Sequence, residues 1–234
     1  MCTLSLFRGD DGYRVFMNRD ERHDRTPELP PQIINKNPTI TAPVDPNSGG
    51  TWIAHNDKGY WGALLNGYTP RPDHIAPASK SRGGILIDVL GAVDPLQAMQ
   101  DLDPHPYENF RLVIGNTKTH HMMRWDGTSY KETDFLAVHE DRIFFTTSSS
   151  WQQDSVMDIR KKLFEQWLND QSYHENGVPD FHYSTAPNLE SAPLMYRSYS
   201  GTKSITAMNV CAGETTMSYW KNSGDIEALK QAVI

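Results

Sequence analysis

Met1-Cys2-Thr3-Leu4-Ser5-Leu6-Phe7-Arg8-Gly9-Asp10-Asp11-Gly12-Tyr13-Arg14-Val15-Phe16-Met17 opens the chain, and Asn18-Arg19-Asp20-Glu21 follows directly. Cys2, Leu4 and Leu6 alternate with Thr3 and Ser5, the period of a strand with one apolar face. Gly9 to Gly12 supplies turn residues and Tyr13 to Met17 resumes the extended pattern, so the first twenty residues read as a hairpin. Its returning strand ends in the charged run Asn18–Glu21, which pairing would set beside residue 2.

Working outward, Gly49-Gly50-Thr51-Trp52-Ile53-Ala54-His55 leads to the turn Asn56-Asp57-Lys58-Gly59, and Tyr60 to Asn66 returns as a second hairpin. Between the two, Thr26 to Pro46 carries six prolines. Their fixed φ and missing N–H groups exclude a helix and predict an irregular loop with at most a short edge strand. Ser81 to Leu102 places Ile85, Val89, Ala92, Leu96 and Met99 roughly on one helical face; Asp94-Pro95 divides it, with Asp94 capping the second helix. Strands are expected at Arg111–Gly115, His120–Trp125, Phe135–His139, Arg142–Thr147, Ser204–Val210 and Thr215–Trp220. Ser155 to Leu168 is an amphipathic helix with Val156, Ile159, Leu163, Phe164 and Trp167 on its apolar side and Asp154 or Ser155 as cap. Its Arg160-Lys161-Lys162 run reads as a solvated face. Asp225 to Val233 reads as a short closing helix. Helices in blocks between antiparallel hairpins indicate an α+β fold, for which stacked sheets with helices outside are one solution. Without an internal repeat or linker, residues 1–234 read as one domain.

The balance of 22 basic against 29 acidic residues, without a basic patch, argues against nucleic acid as a partner. No membrane span is expected. Two cysteines, Cys2 and Cys211, do not make a secreted disulfide framework. The early charges at Arg8, Asp10 and Asp11 interrupt any signal-peptide core, so the chain reads as cytoplasmic with reduced thiols. Nine histidines show no metal-site spacing, and His120-His121 on a strand point to opposite faces. Surface histidines are the expected reading, and no metal site is predicted.

Cys2 is the candidate nucleophile. Removal of Met1 would leave a thiol and an α-amine on one residue, with ordinary pKa values of about 8.5 and roughly 7.7–8.0. The amine could then serve as base for its own side chain. Taken alone, Cys2 is equally a small apolar residue starting a strand. Arg19 beside a thiol would favour thiolate, a carboxylate could hold the α-ammonium, and Asn66 at a strand end could donate to an oxyanion. Each has a plainer reading too: a hydrated strand end for Asn18–Glu21, a turn former for Asn66.

Met-Cys-Thr, then Asn18-Arg19-Asp20-Glu21, Gly50-Thr51-Trp52-Ile53 and Ala63-Leu64-Leu65-Asn66 together resemble the NRDE family, also called the Transport and Golgi Organisation protein two family. Ser81-Arg82-Gly83 and Gly201-Thr202-Lys203-Ser204 resemble two further elements of it. The family is similar to the N-terminal-cysteine amidases, which have a four-layer αββα sandwich and cleave non-peptide amide bonds. That resemblance implies Cys2 as nucleophile, Arg19 beside it, Asp20 orienting the amine and Asn66 in the oxyanion hole. Two departures stand out: Thr146-Thr147-Ser148-Ser149-Ser150 where the amidases carry a further Asn, and Lys203 where they carry an Arg. The expected function is hydrolysis of an amide or thioester through an acyl-Cys2 intermediate, without a cofactor. NRDE members are also linked to haem and acyl-lipid handling, which implies the alternative of a non-catalytic binding or trafficking protein. The expected partner is a small acyl-amide, acyl-lipid or haem ligand.

Overall fold

Alternation along the opening hairpin sorts its side chains onto two faces, and the computed structural model buries both. It describes residues 2–69, 77–135, 137–139, 142–173 and 177–221; Met1 and the expected helix at Asp225–Val233 lie outside them. The hairpin forms β1 (Cys2–Arg8) and β2 (Gly12–Arg22). There follow β3 (Leu29–Lys36), β4 (Thr39–Val44), β5 (Ile53–Asn56) and β6 (Trp61–Asn66). Helices α1 (Ile85–Gly91) and α2 (Pro95–Gln100) lead to β7 (Phe110–Gly115), β8 (His120–Trp125), β9 (Tyr130–Glu132), β10 (Ala137–His139) and β11 (Ile143–Ser148). Helix α3 (Gln153–Asp170), then β12 (Ser200–Cys211) and β13 (Glu214–Lys221), complete the described elements.

Two antiparallel sheets result, ordered β10-β11-β1-β2-β12-β13 and β3-β4-β5-β6-β7-β8-β9. Cys2, Leu4, Leu6, Val15 and Met17 of the first sheet pack against Ile53, Ala63, Leu65, Val113 and Met122 of the second. On the outer face of the first sheet, Phe7, Phe16 and Phe145 meet Phe164 and Trp167 of α3. Phe145 and Phe164 stack with centroids 4.6 Å apart. On the far side, α1 and α2 cover the second sheet with Ile85, Leu86, Val89 and Met99. The layers are therefore helix, sheet, sheet, helix, the N-terminal-nucleophile hydrolase architecture.

Local chemistry explains the boundaries. The Asp94 carboxylate accepts from the N–H groups of Leu96 and Gln97, and Pro95 opens α2 where no N–H is needed. The proline-rich segment is not the loop expected from its composition but the β3–β4 hairpin. It tolerates prolines because β3 is an edge strand paired only with β4, and Pro30 and Pro31 fall in the register break between Leu29 and Gln32. Pro43 lies past the two β4 residues that pair with β5. Helix α3 begins at Gln153, after a left-handed Gln152 with no side-chain cap, so neither Asp154 nor Ser155 is the cap. No helix among the described residues is long and apolar enough to cross a membrane.

His182 departs from the expected surface histidine. It is wholly buried on a short helical turn, Asp180–Tyr183, beneath β1 and β2. Its Nδ1–H donates to Asn18 Oδ1 at 2.6 Å and its Nε2 accepts from Ser5 Oγ at 2.7 Å. Asn18 Nδ2 donates in turn to the carbonyls of His182 and Pro193. Burial pushes the His182 pKa down to about 3 from its ordinary 6.5, so between those values only the unfolded chain takes up the proton. Stability should then fall as pH drops below 6.5, by up to about 1.4 kcal/mol per pH unit for this group. Urea unfolding at about pH 7.5, 6 and 5 measures the slope; His182→Gln should make it shallower, and identical slopes would refute the assignment.

Candidate active site

Cys2 is the first residue of β1, paired across to Arg19 of β2 and to Ser148 of β11. Two flanking strands fix its backbone, and its free thiol is only 6% exposed. It lines a cavity of about 300 Å³ together with Arg19, Asp20, Trp52, Asn66 and Arg82. Burial pushes the thiol pKa up, and the Asp20 charge adds to this. The positive charge of the amino terminus, then the Asp20 backbone N–H and the Arg19 guanidinium, pull the other way without cancelling it. Cys211, the other cysteine, is free and exposed.

Arg19 and Asp20 are successive residues of β2, and their side chains go to different partners. Arg19 lies over the Trp52 ring at 4.3 Å. Its guanidinium meets Asp45 at 3.2 Å, Glu28 at 3.4 Å and Glu21 at 3.5 Å. Its charge is thus shared among three carboxylates, which weakens its field at the thiol. Arg25 also binds Asp45, at 2.7 Å. Asp20 meets Arg160 of α3 at 3.3 Å, with both side chains fully buried, and accepts from Thr202 Oγ1 at 2.7 Å. Arg160 further donates to Thr3, Thr147 and the Ser191 carbonyl.

Arg160 is therefore not part of a solvated face, as the basic run suggested. The signal was present in the periodicity: position 160 lies four residues from both Val156 and Phe164 on the buried stripe of α3. Only Lys162 of the run is exposed. Glu28 and Asp45 also escaped sequence reading, because nothing local distinguishes a carboxylate that will face an arginine in another strand; Thr202 was read only as part of the Gly201–Ser204 element, without its bond to Asp20.

The remaining motifs build the cavity wall. A Cβ on Gly50 would come within 2.4 Å of Gly83 backbone atoms, so the Gly-Gly-Thr-Trp and Ser-Arg-Gly segments touch backbone to backbone. The Thr51 N–H donates to the Gly83 carbonyl at 3.0 Å. Arg82 Nη1 donates to the Asn109 carbonyl at 2.8 Å. Asn66 closes β6, half-buried, with Nδ2 3.4 Å from the Tyr68 hydroxyl. Asp20, Glu21, Asn66 and Arg82 also border an adjoining cavity of about 700 Å³ that includes Tyr68 and Tyr199. Asn18 serves the His182 network described above. Lys203 sits at a register shift in β12 and donates to His23 Nδ1 at 3.4 Å, outside the lining of either cavity.

One family's model matches residues 1–214, a span that includes Cys2, the Asn18–Glu21 run and both Gly50 and Gly83. The chain belongs to the Transport and Golgi organisation 2 family. Among solved structures it is similar to a Caenorhabditis elegans ortholog of N-acylethanolamine-hydrolyzing acid amidase: 13% identity, 88% of this chain and 92% of that one, TM-score 0.59. A conjugated bile acid hydrolase from Clostridium perfringens matches at 12% identity, 96% and 93% coverage and TM-score 0.48. No curated protein matches by sequence. At such identities the likeness to the amidase is one of fold, and the Transport and Golgi organisation 2 family membership rests on the sequence match.

Removing Arg160 would leave Asp20 charged and buried without its cation. Arg160→Ala should lower stability by about 3–5 kcal/mol in denaturant unfolding, whereas exposed Lys162→Ala should stay within about 0.5 kcal/mol. The double change Asp20→Asn with Arg160→Met should recover most of the loss. A cost for Arg160→Ala no larger than for Lys162→Ala would contradict the pairing.

Proposed function

We propose that the chain is an N-terminal-cysteine hydrolase of non-peptide amide or thioester bonds, acting once Met1 is removed. The observation that carries this reading is that Cys2, Arg19, Asp20 and Asn66 line one cavity. In the proposed cycle the α-amine of Cys2 takes the thiol proton as sulfur attacks the carbonyl carbon and a C–S bond forms. Asn66 Nδ2 donates to the oxyanion. Collapse breaks the C–N bond, and the ammonium returns its proton to the leaving nitrogen. Water then adds to the thioester, releasing a carboxylic acid and the free thiol. Because burial raises the thiol pKa, free thiolate is scarce and the amine's role as base becomes essential. Asp20, anchored by Arg160 and Thr202, is the proposed orienter of that amine.

The same raised pKa and the larger adjoining cavity favour a second reading, a binder of acyl-lipid or haem without turnover. Haem fits less well than an acyl chain. Among the described residues His23 is the one histidine bordering either cavity, and both its ring nitrogens are engaged, with the Arg197 carbonyl at 2.8 Å and with Lys203.

Intact mass spectrometry of protein from its native host should record loss of one Met residue, and a thiol-reactive acyl probe should label Cys2. Cys2→Ala should abolish hydrolysis of any N-acyl amide or thioester the protein turns over while leaving ligand affinity nearly intact, with residual turnover in Cys2→Ser. Asn66→Ala should lower kcat by about 10²–10³. Undiminished function in both Cys2 variants, with Met1 retained, would establish the binding reading instead.

A further inference from the structure

The ion pairs around the cleft leave a charge unmatched. Arg19 is surrounded by Glu21, Glu28 and Asp45, and Arg25 shares Asp45 and Glu21. Asp20 is held by Arg160 and Thr202. Arg82 differs from these. It is part-buried, it lines both cavities, and it donates to a neutral backbone carbonyl, that of Asn109. Among the described residues no carboxylate lies within ion-pair distance of it. Lys80, exposed on the rim of the smaller cavity, likewise has no carboxylate within ion-pair distance among the described residues.

Two further arginines belong to the strands behind this wall. Arg111 and Arg124 face each other across β7 and β8, again without a carboxylate partner among the described residues. Arg111 donates to the Thr147 carbonyl at 2.6 Å, and Arg124 to Thr69 Oγ1 at 3.2 Å. Asn109 donates to the Thr69 carbonyl, so the support of Arg82 and the anchor of Arg124 belong to one hydrogen-bonded segment. The carboxylates nearest the Arg82 side, Glu108 and Glu21, line the cavity and act on Arg82 electrostatically, but neither forms an ion pair with it, whereas the carboxylates on the Arg19 side are engaged by Arg19 and Arg25.

A part-buried guanidinium with no carboxylate in direct contact keeps donors that an anion can complete. Its planar fork suits a two-oxygen acceptor, carboxylate or phosphate. We propose that Arg82 is the anion-recognition residue of the cleft, and that the physiological ligand carries a carboxylate or phosphate beside the group presented to Cys2. This rests on the cleft being the ligand site, as in the preceding reading, but it does not require turnover.

Binding of hexanoate and hexyl phosphate, against neutral hexanamide, to the intact chain by calorimetry tests this with or without catalysis. At least one anion should bind about 10-fold or more tighter than hexanamide, the scale of one charge-assisted bidentate contact. Arg82→Gln, which keeps a donor for the Asn109 carbonyl, should erase that preference while leaving hexanamide affinity unchanged; Arg82→Lys should retain part of it. The anion favoured by wild type identifies whether carboxylate or phosphate is read. Cys2→Ala should preserve the preference, so a failed hydrolase reading would leave this result standing. Absence of anion binding to wild type, or an unchanged preference in Arg82→Gln, overturns the proposal.

Discussion

The buried pair of Asp20 and Arg160 is the constraint on which the arrangement around Cys2 depends. Two charges removed from water are costly, and their attraction offsets that cost only when the remaining lone pairs and protons are satisfied. Here they are: Thr202 donates to the carboxylate, while Thr3, Thr147 and the Ser191 carbonyl accept from the guanidinium. The partners come from β1, β2, β11 and β12, so one arginine from α3 fastens the four central strands of its sheet. Thr3, the neighbour of Cys2, is among them. The helix that covers the sheet is therefore also what holds the candidate nucleophile's strand in place.

Strand alternation divides the chemistry of β2 between two environments. Asn18 and Asp20 turn to the α3 side, where they meet His182 and Arg160; Arg19 turns to the inter-sheet side, over Trp52 and among three carboxylates. The Asn-Arg-Asp-Glu run is thus partly support and partly cavity lining. Arg19 is better described as the centre of a charge cluster that shapes one wall than as a free cation activating sulfur. Burial raises the thiol pKa despite it, which is why the proposed cycle assigns a base to the sulfur.

Sequence patterns succeeded where a local period or turn decides structure. The two hairpins, the Asp94-Pro95 break and the apolar stripe of α3 follow from alternation, capping chemistry and helical spacing, which short segments carry themselves. The reading failed where a distant partner overrides composition. Prolines suggested a loop, yet an edge strand with a register break leaves the missing N–H groups outside any ladder. A basic triplet suggested solvent, yet position 160 carries a charge on the helix's buried stripe. A histidine in an aperiodic stretch suggested the surface, yet it closes a network with Ser5 and Asn18.

By itself, then, the sequence determined the α+β class from local period, while its motifs in order carried the resemblance that implied the αββα sandwich, the family and Cys2, Arg19, Asp20, Asn66 and Arg82 as the residues to examine. Only the tertiary structure decided which of them meet. Gly50 against Gly83 closes the wall, Arg160 takes the charge of Asp20, and Glu28 and Asp45 take the charge of Arg19. Arg82 is left without a carboxylate within ion-pair distance among the described residues. Charge compensation is a property of pairs far apart in the chain, and no single segment of sequence carries it.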